Sequence, residues 1–600
     1  MTAPRASRQE SPSPRPQLVR DRWADLGGEW RFDYDDADVG RTEHWYAPGH
    51  DWGRRIVVPF PPESAASGIG DTGVHDVLWY QRDLGWDDIL ATGYDLRRRP
   101  RLVLRFGAVD YRCTVWLNGA KLGDHEGGHT PFGFDLAEQL RPGADQILTV
   151  RAEDRAADVA QPRGKQDWQP DAHVIWYDRT TGIWQPVWLE ATTAVAVESL
   201  HWTADLPGAT VRAEIGLNRP PAPGAAGEIE LWHDDTMLAA IRFPVTGQRV
   251  AATVTLPGQA NGQAYEELLW TPERPTLIDA VVRVAGDTVQ SYLGLRSTAV
   301  AAGHFLLNDR PRYLRAVLSQ GFWPRSHLAA PSAKALADEV RLILDLGFNA
   351  ARVHQKAEDP RLLYWADRLG LMIWGEAPAA YEFSPTAIAR TTREWLDVLD
   401  RDRSHPSIVT WVPHNESWGV QHVAHDARAA AFVRGLAELT RAVDGTRPVI
   451  ANDGWEHVGS DILSVHDYDA DPEVLRRRYG PGARDRLATG FGPAGRRMTV
   501  RDPIDPAAPL MLTEFGGIKY APGADATWGY TAAGSRDDFA AQLTAIYQAL
   551  RASPELAGTC YTQLTDTMQE ANGLLTADRV PKLEVALIRS IVTGASTTAT

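Results

Sequence analysis

Cysteine is nearly absent: the 600 residues contain only Cys113 and Cys560, far apart and each inside an apolar, strand-like run. A disulfide framework is thereby excluded, and no spacing supports a metal site. Long hydrophobic runs are missing too; none approaches the ~20 residues of a membrane-spanning helix. The segment 1–18 is rich in Pro, Ser and Arg and lacks the apolar stretch a secretory signal needs. It reads as a disordered tail, with cytoplasmic residence as the default expectation. Basic residues are in deficit, 62 Lys and Arg against 78 Asp and Glu, for a net charge of −16. That balance argues against nucleic acid or an anionic membrane as partner.

What is present is the composition of a soluble globular protein, 44% hydrophobic and 23% charged. The length exceeds what one core serves and favours about three or four domains. Tryptophan is abundant at 22 residues. Apolar ring faces suit sugar CH surfaces, although most of these rings are expected to fill cores.

Residues 19–193 read as short alternating strands with turn punctuation. Leu102, Leu104 and Phe106 share one face, and Cys113-Thr114-Val115-Trp116-Leu117 is closed by an Asn118-Gly119 turn. This predicts a β-sandwich of the jelly-roll type. A second all-β stretch, 194–297, has the size of an immunoglobulin-like sandwich, with strands near 210–217, 228–233, 250–256, 278–284 and 291–295. The Pro-rich run 219–224 is a loop within it, because alternation resumes directly afterwards.

From 298 to 596 the period changes. Ser332 is placed to cap a helix with Leu336, Val340 and Ile343 on one face, and Gly347 ends it. Another helix is expected at 360–369, and Ser535 caps one presenting Phe539, Leu543, Ile546 and Leu550. Strands are expected at 313–318, 348–353, 371–374, 408–412, 449–451, 462–465, 510–513 and 558–562. Eight strands in this length make a (β/α)8 TIM barrel.

Two of those strands carry the chemistry. Ser407-Ile408-Val409-Thr410-Trp411-Val412-Pro413-His414-Asn415-Glu416 delivers Glu416 after strand four; Pro509-Leu510-Met511-Leu512-Thr513-Glu514 delivers Glu514 on strand seven. Active sites of such barrels lie at the C-terminal strand ends. Two carboxylates meeting there about 5–5.5 Å apart suit cleavage of a glycosidic bond through a covalent intermediate. Asn415 offers an amide to the hydroxyl beside the anomeric centre. Further pocket candidates are Arg352 and His354 at the end of strand two, Glu376 after strand three, His466 and Tyr468 after strand six, Trp418 and Trp528. Of these, Arg352 is expected to orient Glu514.

The barrel resembles glycoside hydrolase family 2, the β-galactosidase, β-glucuronidase and β-mannosidase group. The likeness is carried by Gly347-Phe348-Asn349-Ala350-Ala351-Arg352-Val353-His354, Trp374-Gly375-Glu376, His414-Asn415-Glu416-Ser417-Trp418 and Thr513-Glu514-Phe515-Gly516. Outside the barrel, Val115-Trp116-Leu117-Asn118-Gly119 and Gly182-Ile183-Trp184-Gln185-Pro186-Val187-Trp188-Leu189 resemble the family's sandwich domain. The resemblance implies jelly roll, sandwich and barrel in that order, Glu416 as acid/base, Glu514 as nucleophile, an exo-acting enzyme on a carbohydrate substrate, and no cofactor. A homo-oligomer is left open.

The chain departs from the family at strand eight, where Tyr561 stands for a tryptophan platform and Gln563 lies close by. It also lacks the Asn-x-Lys motif by which β-glucuronidases hold a uronate: the segment reads Asn572-Gly573-Leu574-Leu575-Thr576-Ala577-Asp578-Arg579. A neutral, galactose-type glycone is therefore expected. β-Galactofuranoside, arabinopyranoside, β-mannoside and β-glucuronide are the alternatives. A metal-dependent hydrolase built on His354, His414, His466 and Asp467 lacks a ligand motif and leaves the paired glutamates unexplained. A carbohydrate-binding protein has no use for both glutamates.

Overall fold

The computed structural model describes residues 5–523 and 526–595. The N-terminal sandwich packs a six-stranded sheet on a four-stranded one. Leu102, Leu104 and Phe106 lie fully buried between them, as their alternation requires. The immunoglobulin-like domain pairs Val197–Asp205, Thr210–Leu217 and Arg249–Thr255 against a four-stranded sheet that ends on Asp287–Leu293. Cys113 and Cys560 are free and buried. No helix among the described residues is long and apolar enough to cross a membrane.

The barrel strands are Leu314–Ser319, Ala350–Val353, Met372–Glu376 and Ile408–Val412, then Leu463–Asp467, Leu510–Gly516 and Leu556–Thr562. All pair in parallel. Side chains alternate between an inner cluster holding Met372, Val409, Met511 and Cys560 and an outer layer facing the helices. Ser332 accepts from the Ala335 amide to start Ala333–Asp345, and Ser535 does the same for Arg536–Arg551.

The fifth strand differs from expectation. Segment 449–451 makes only single parallel bridges, Val449 to Trp411 and, just beyond it, Asp453 to Asn415. Two of its three amides are taken by side chains, Val449 N donating to Asp461 Oδ2 at 2.7 Å and Ala451 N to Ser460 Oγ at 2.9 Å, while Ile450 N donates to Trp411 O at 2.9 Å. Those two bonds replace a ladder to strand six.

The expected disordered tail is also corrected; its residues 1–4 lie outside the described ones. Residues 5–18 form an ordered strap across the immunoglobulin-like domain and the barrel. Ser7 donates twice to Asp279, by N and Oγ at 2.8 Å each. Gln17 Nε2 donates to the carbonyls of Tyr292 and Ser404, and Leu18 enters the immunoglobulin-like core. The strap has no core of its own, which is why its composition looks disordered. A proline-rich segment loses little entropy on ordering, so contacts supplied by other domains suffice to hold it.

Candidate active site

Strand four is buried along its whole length and projects its chain end into the barrel mouth. Glu416 and Ser417 then adopt left-handed backbone, φ 51° and 60°. The surroundings hold that conformation: Glu416 N donates to Asp453 O at 3.0 Å, and Ser417 N to Asn452 Oδ1 at 3.0 Å. Glu514 sits within strand seven where the register slips against strands six and eight. Such irregularities re-aim a side chain. Together they bring a Glu416 oxygen and a Glu514 oxygen within 4.8 Å of each other, with a His466 nitrogen inside the same limit.

Beneath the pair lies Arg352, fully buried. Its Nε donates to Glu376 Oε2 at 2.6 Å, Nη1 to Glu514 Oε1 at 3.0 Å and Nη2 to Asn415 Oδ1 at 2.7 Å, while Nη1 lies 2.5 Å from Asp453 Oδ2. Burial works against its charge, but Asp453, Glu376 and Glu514 outweigh it and hold the guanidinium protonated. A planar fork with five donors serves four partners at once; a lysine would not.

His466 ties the carboxylates together. Its Nδ1 lies 2.7 Å from Glu416 Oε1 and its Nε2 2.8 Å from Asp453 Oδ2. Burial opposes protonation, yet Glu514 and Asp453 raise the imidazole to about 10. It is therefore an imidazolium donating from both nitrogens. Glu416 feels the opposite balance: burial raises its carboxyl, but the His466 bond and charge bring it below the usual range. The trio Glu416, His466 and Glu514 is close enough to bracket a cation. His466, protonated, has no lone pair to offer one.

Residues 298–477 match the family described as glycosyl hydrolases family 2, TIM barrel domain. The barrel segment matched belongs to glycosyl hydrolase family 2. It is 24% identical over 499 residues to a β-glucuronidase of Canis lupus familiaris, covering 76% of this chain and 73% of that one. Among solved structures it resembles a Bifidobacterium dentium β-glucuronidase complexed with coumarin-3-O-glucuronide, with TM-score 0.75, 19% identity and coverage of 96% and 98%. It also resembles a GH2 β-galacturonidase from Eisenbergiella tayi bound to galacturonate, with TM-score 0.73, 17% identity and coverage of 97% and 98%.

The remaining expected residues of this glycoside hydrolase take different places around the pair. Tyr468 donates its hydroxyl to Glu514 and stacks on Tyr530 with ring centroids 3.4 Å apart, so it positions Glu514. Glu376 is fully buried under Arg352, and His354 Nδ1 lies 3.0 Å from its other oxygen. Glu376 thus fixes Arg352 from below, and His354 braces Glu376. Trp418 is half-buried against Trp176 and Tyr381, centroids 5.3 and 5.6 Å away. Trp528 is a rim residue whose Nε1 donates to Val174 O at 2.8 Å.

Tyr561 is a correction. Strand alternation turns Cys560 into the barrel and Tyr561 outward, where it packs against Phe515 at 5.5 Å and near Tyr547. It is no sugar platform. Gln563, two residues on, does face the mouth: its Oε1 accepts from Gln320 Nε2 at 2.7 Å, and its own Nε2 is buried without a partner.

Sequence reasoning missed Asp453, Glu570, Tyr177 and Lys165. Asp453 had a signal, since Asn452-Asp453-Gly454 follows the strand-five run. The carboxyl of Asp453 is held far below the usual range: burial opposes this, and Arg352 and His466 overcome it. Tyr177 and Lys165 had none, because they lie in a long loop of the sandwich domain. That loop is fastened to the barrel mouth. Arg163 N and Gly164 N donate to Ala379 O at 3.0 and 3.1 Å, Tyr177 Oη to Glu570 at 2.6 Å and Gln569 Nε2 to Trp176 O at 2.7 Å.

Proposed function

We propose that this glycoside hydrolase is a retaining exo-β-glycosidase with Glu514 as nucleophile and Glu416 as acid/base. The observation that carries the reading is the carboxylate spacing. Oxygens within 4.8 Å match the short separation of retaining enzymes, about 5–5.5 Å, and leave no room for the water of an inverting one. Glu514, anchored by Arg352 and Tyr468, attacks the anomeric carbon to give a glycosyl ester. Glu416 passes its proton to the leaving oxygen, then removes one from the incoming water. The loop carrying Tyr177 closes the barrel mouth from one side, which supports removal of a single terminal residue.

The glycone is the finer question. A neutral galactose-type sugar was expected because 572–579 holds no lysine. The relatives' names, β-glucuronidase and β-galacturonidase, favour a hexuronide instead, and we take that as the first reading. One observation favours a neutral glycone: Glu570 adds a third carboxylate at the mouth, its Oε1 accepting from Asn572 Nδ2 at 3.0 Å. A panel of 4-nitrophenyl β-glucuronide, β-galacturonide, β-galactoside, β-mannoside and β-galactofuranoside tests both readings. NMR of the first-formed anomer tests retention; an inverted product would overturn the role assignment.

A further inference from the structure

Among the described residues, every cation around the carboxylate pair has a partner except one. Arg352 and His466 are saturated by acids as described above. Arg478 pairs with Asp467 and Asp469, Lys356 with Glu358 at 2.7 Å and Lys582 with Asp566 at 2.6 Å. The Lys165 ammonium makes no hydrogen bond or ion pair with any described residue. Its Nζ stands over the Tyr177 ring, 5.7 Å from the centroid. The same Tyr177 donates its hydroxyl to Glu570 Oε2 at 2.6 Å, which brings the ammonium to that carboxylate at the barrel mouth; burial lowers the pKa of Lys165, and the charges of Glu570, Glu514, Glu416 and Glu376 oppose this.

Its position is built, not incidental. Gly164 before it has φ +60°, and a Cβ there would lie 2.2 Å from Gln355 O, so only glycine lets the loop approach the barrel this closely. Tyr381 Oη donates to Gly164 O at 2.6 Å, and Tyr177 N to Lys165 O at 2.9 Å. The backbone of Lys165 is thus pinned on both sides while its ammonium is left free. A half-buried ammonium without a partner is costly, and an anionic group on the substrate offsets that cost.

We propose that Lys165 binds the C5 carboxylate of a hexuronide glycone, with Glu570 accepting a neighbouring ring hydroxyl. The assignment rests on the hexuronide reading above and supplies a lysine that the barrel segment 572–579 lacks, the Arg579 of that segment being paired with Glu339. A hexuronide carries a hydroxyl next to its carboxylate, and a donor–acceptor pair of one ammonium and one carboxyl is complementary to it. Burial raises the Glu570 carboxyl above the usual range, which lessens its repulsion of a uronate. The residue comes from the sandwich domain, so glycone recognition would be shared between two domains.

The test is kinetic, on the full chain. For Lys165→Met, the ratio of kcat/KM on 4-nitrophenyl β-glucuronide or β-galacturonide to that on the matching neutral hexosides should fall about 10- to 100-fold, the worth of one charge-assisted bond. The loss should appear in KM, and Lys165→Arg should recover part of it. Equal losses on charged and neutral substrates, or a wild type that prefers neutral hexosides, would overturn the proposal. Labelling of Glu514 by a 2-deoxy-2-fluoro glycoside, followed by peptide mass spectrometry, examines the retaining mechanism separately. If Glu514 were not labelled, calorimetric binding of D-glucuronate and D-galacturonate to wild type and Lys165→Met would still decide the role of Lys165. Weaker binding to the variant upholds the proposal, and equal binding rejects it.

Discussion

His466 donates through Nδ1 to Glu416 Oε1 at 2.7 Å while its Nε2 lies 3.5 Å from Glu514 Oε1. One imidazolium therefore touches both members of the carboxylate pair. Its charge is maintained by Glu514 and Asp453 against burial. Burial raises the Glu416 carboxyl, and the hydrogen bond and charge of this ring turn the net direction downward.

Replacing His466 by Gln removes the charge that depresses the Glu416 carboxyl. The pKa of Glu416 should then rise, and the alkaline limb of kcat/KM, which reports loss of the protonated acid, should move to higher pH. A pH–rate profile of both proteins measures this. An unmoved limb would dissociate Glu416 from the acid role.

Glu514→Gln should lower turnover of aryl glycosides by on the order of 10⁴-fold or more with the fold intact, because an amide forms no glycosyl ester. Glu416→Ala should instead show a steep leaving-group dependence: activated aryl substrates still form the glycosyl-enzyme, whose hydrolysis is slow without the base, and poor leaving groups lose even the first step. Azide should restore turnover of the activated substrates and release a β-glycosyl azide, detectable by mass spectrometry and NMR.

Arg352 satisfies Glu376, Asp453, Glu514 and Asn415 from a fully buried position. Arg352→Met leaves buried carboxylates uncompensated and should destabilise the protein by about 3–5 kcal/mol. Urea denaturation read separately by activity loss and far-UV signal checks this. Arg352→Lys keeps the charge but not the fork, so a fall in kcat at nearly native stability is expected.

Asp110, in the sandwich domain, accepts from Gln166 Nε2 at 2.7 Å, and its carboxyl is pushed up to about 8 by burial and by the nearby Asp154 charge. An unfolded aspartate ionises near 3.9. The native state thus binds this proton more tightly, and the stability it contributes below about pH 4 is lost as the pH rises through 8. Asp110→Asn keeps an acceptor for Gln166 without the ionisation. Its melting temperature relative to wild type should increase between pH 5 and pH 9, as calorimetry at the two values will show.

The barrel and its carboxylate pair were legible because their signals are local. An apolar run of strand length followed by Asn415-Glu416, and another carrying Glu514, place their carboxylates by chain geometry alone. The Ser332 and Ser535 caps belong to the same class: each acts within one helical turn. Tyr561 was misread because a neighbouring position in a strand faces the opposite side, so an offset of one residue exchanges a pocket residue for a packing one. The strap 5–18 was misread because its partners, Asp279, Tyr292 and Ser404, are hundreds of residues away.

The amino-acid sequence by itself determined the order of domains, the barrel and the two glutamates, since each depends on contacts within a strand, a turn or a helix. Only the tertiary structure decided how these carboxylates are tuned and what else meets them. Asp453 and His466 converge on Arg352 across the barrel, and a sandwich-domain loop carries Lys165 and Tyr177 to Glu570 at its mouth. The physical reason is the reach of the interactions. The apolar run that makes a strand and the carboxylate at its end are consecutive residues, whereas the electrostatics of a buried pocket depend on every charge that folding brings near it, whatever its position in the sequence.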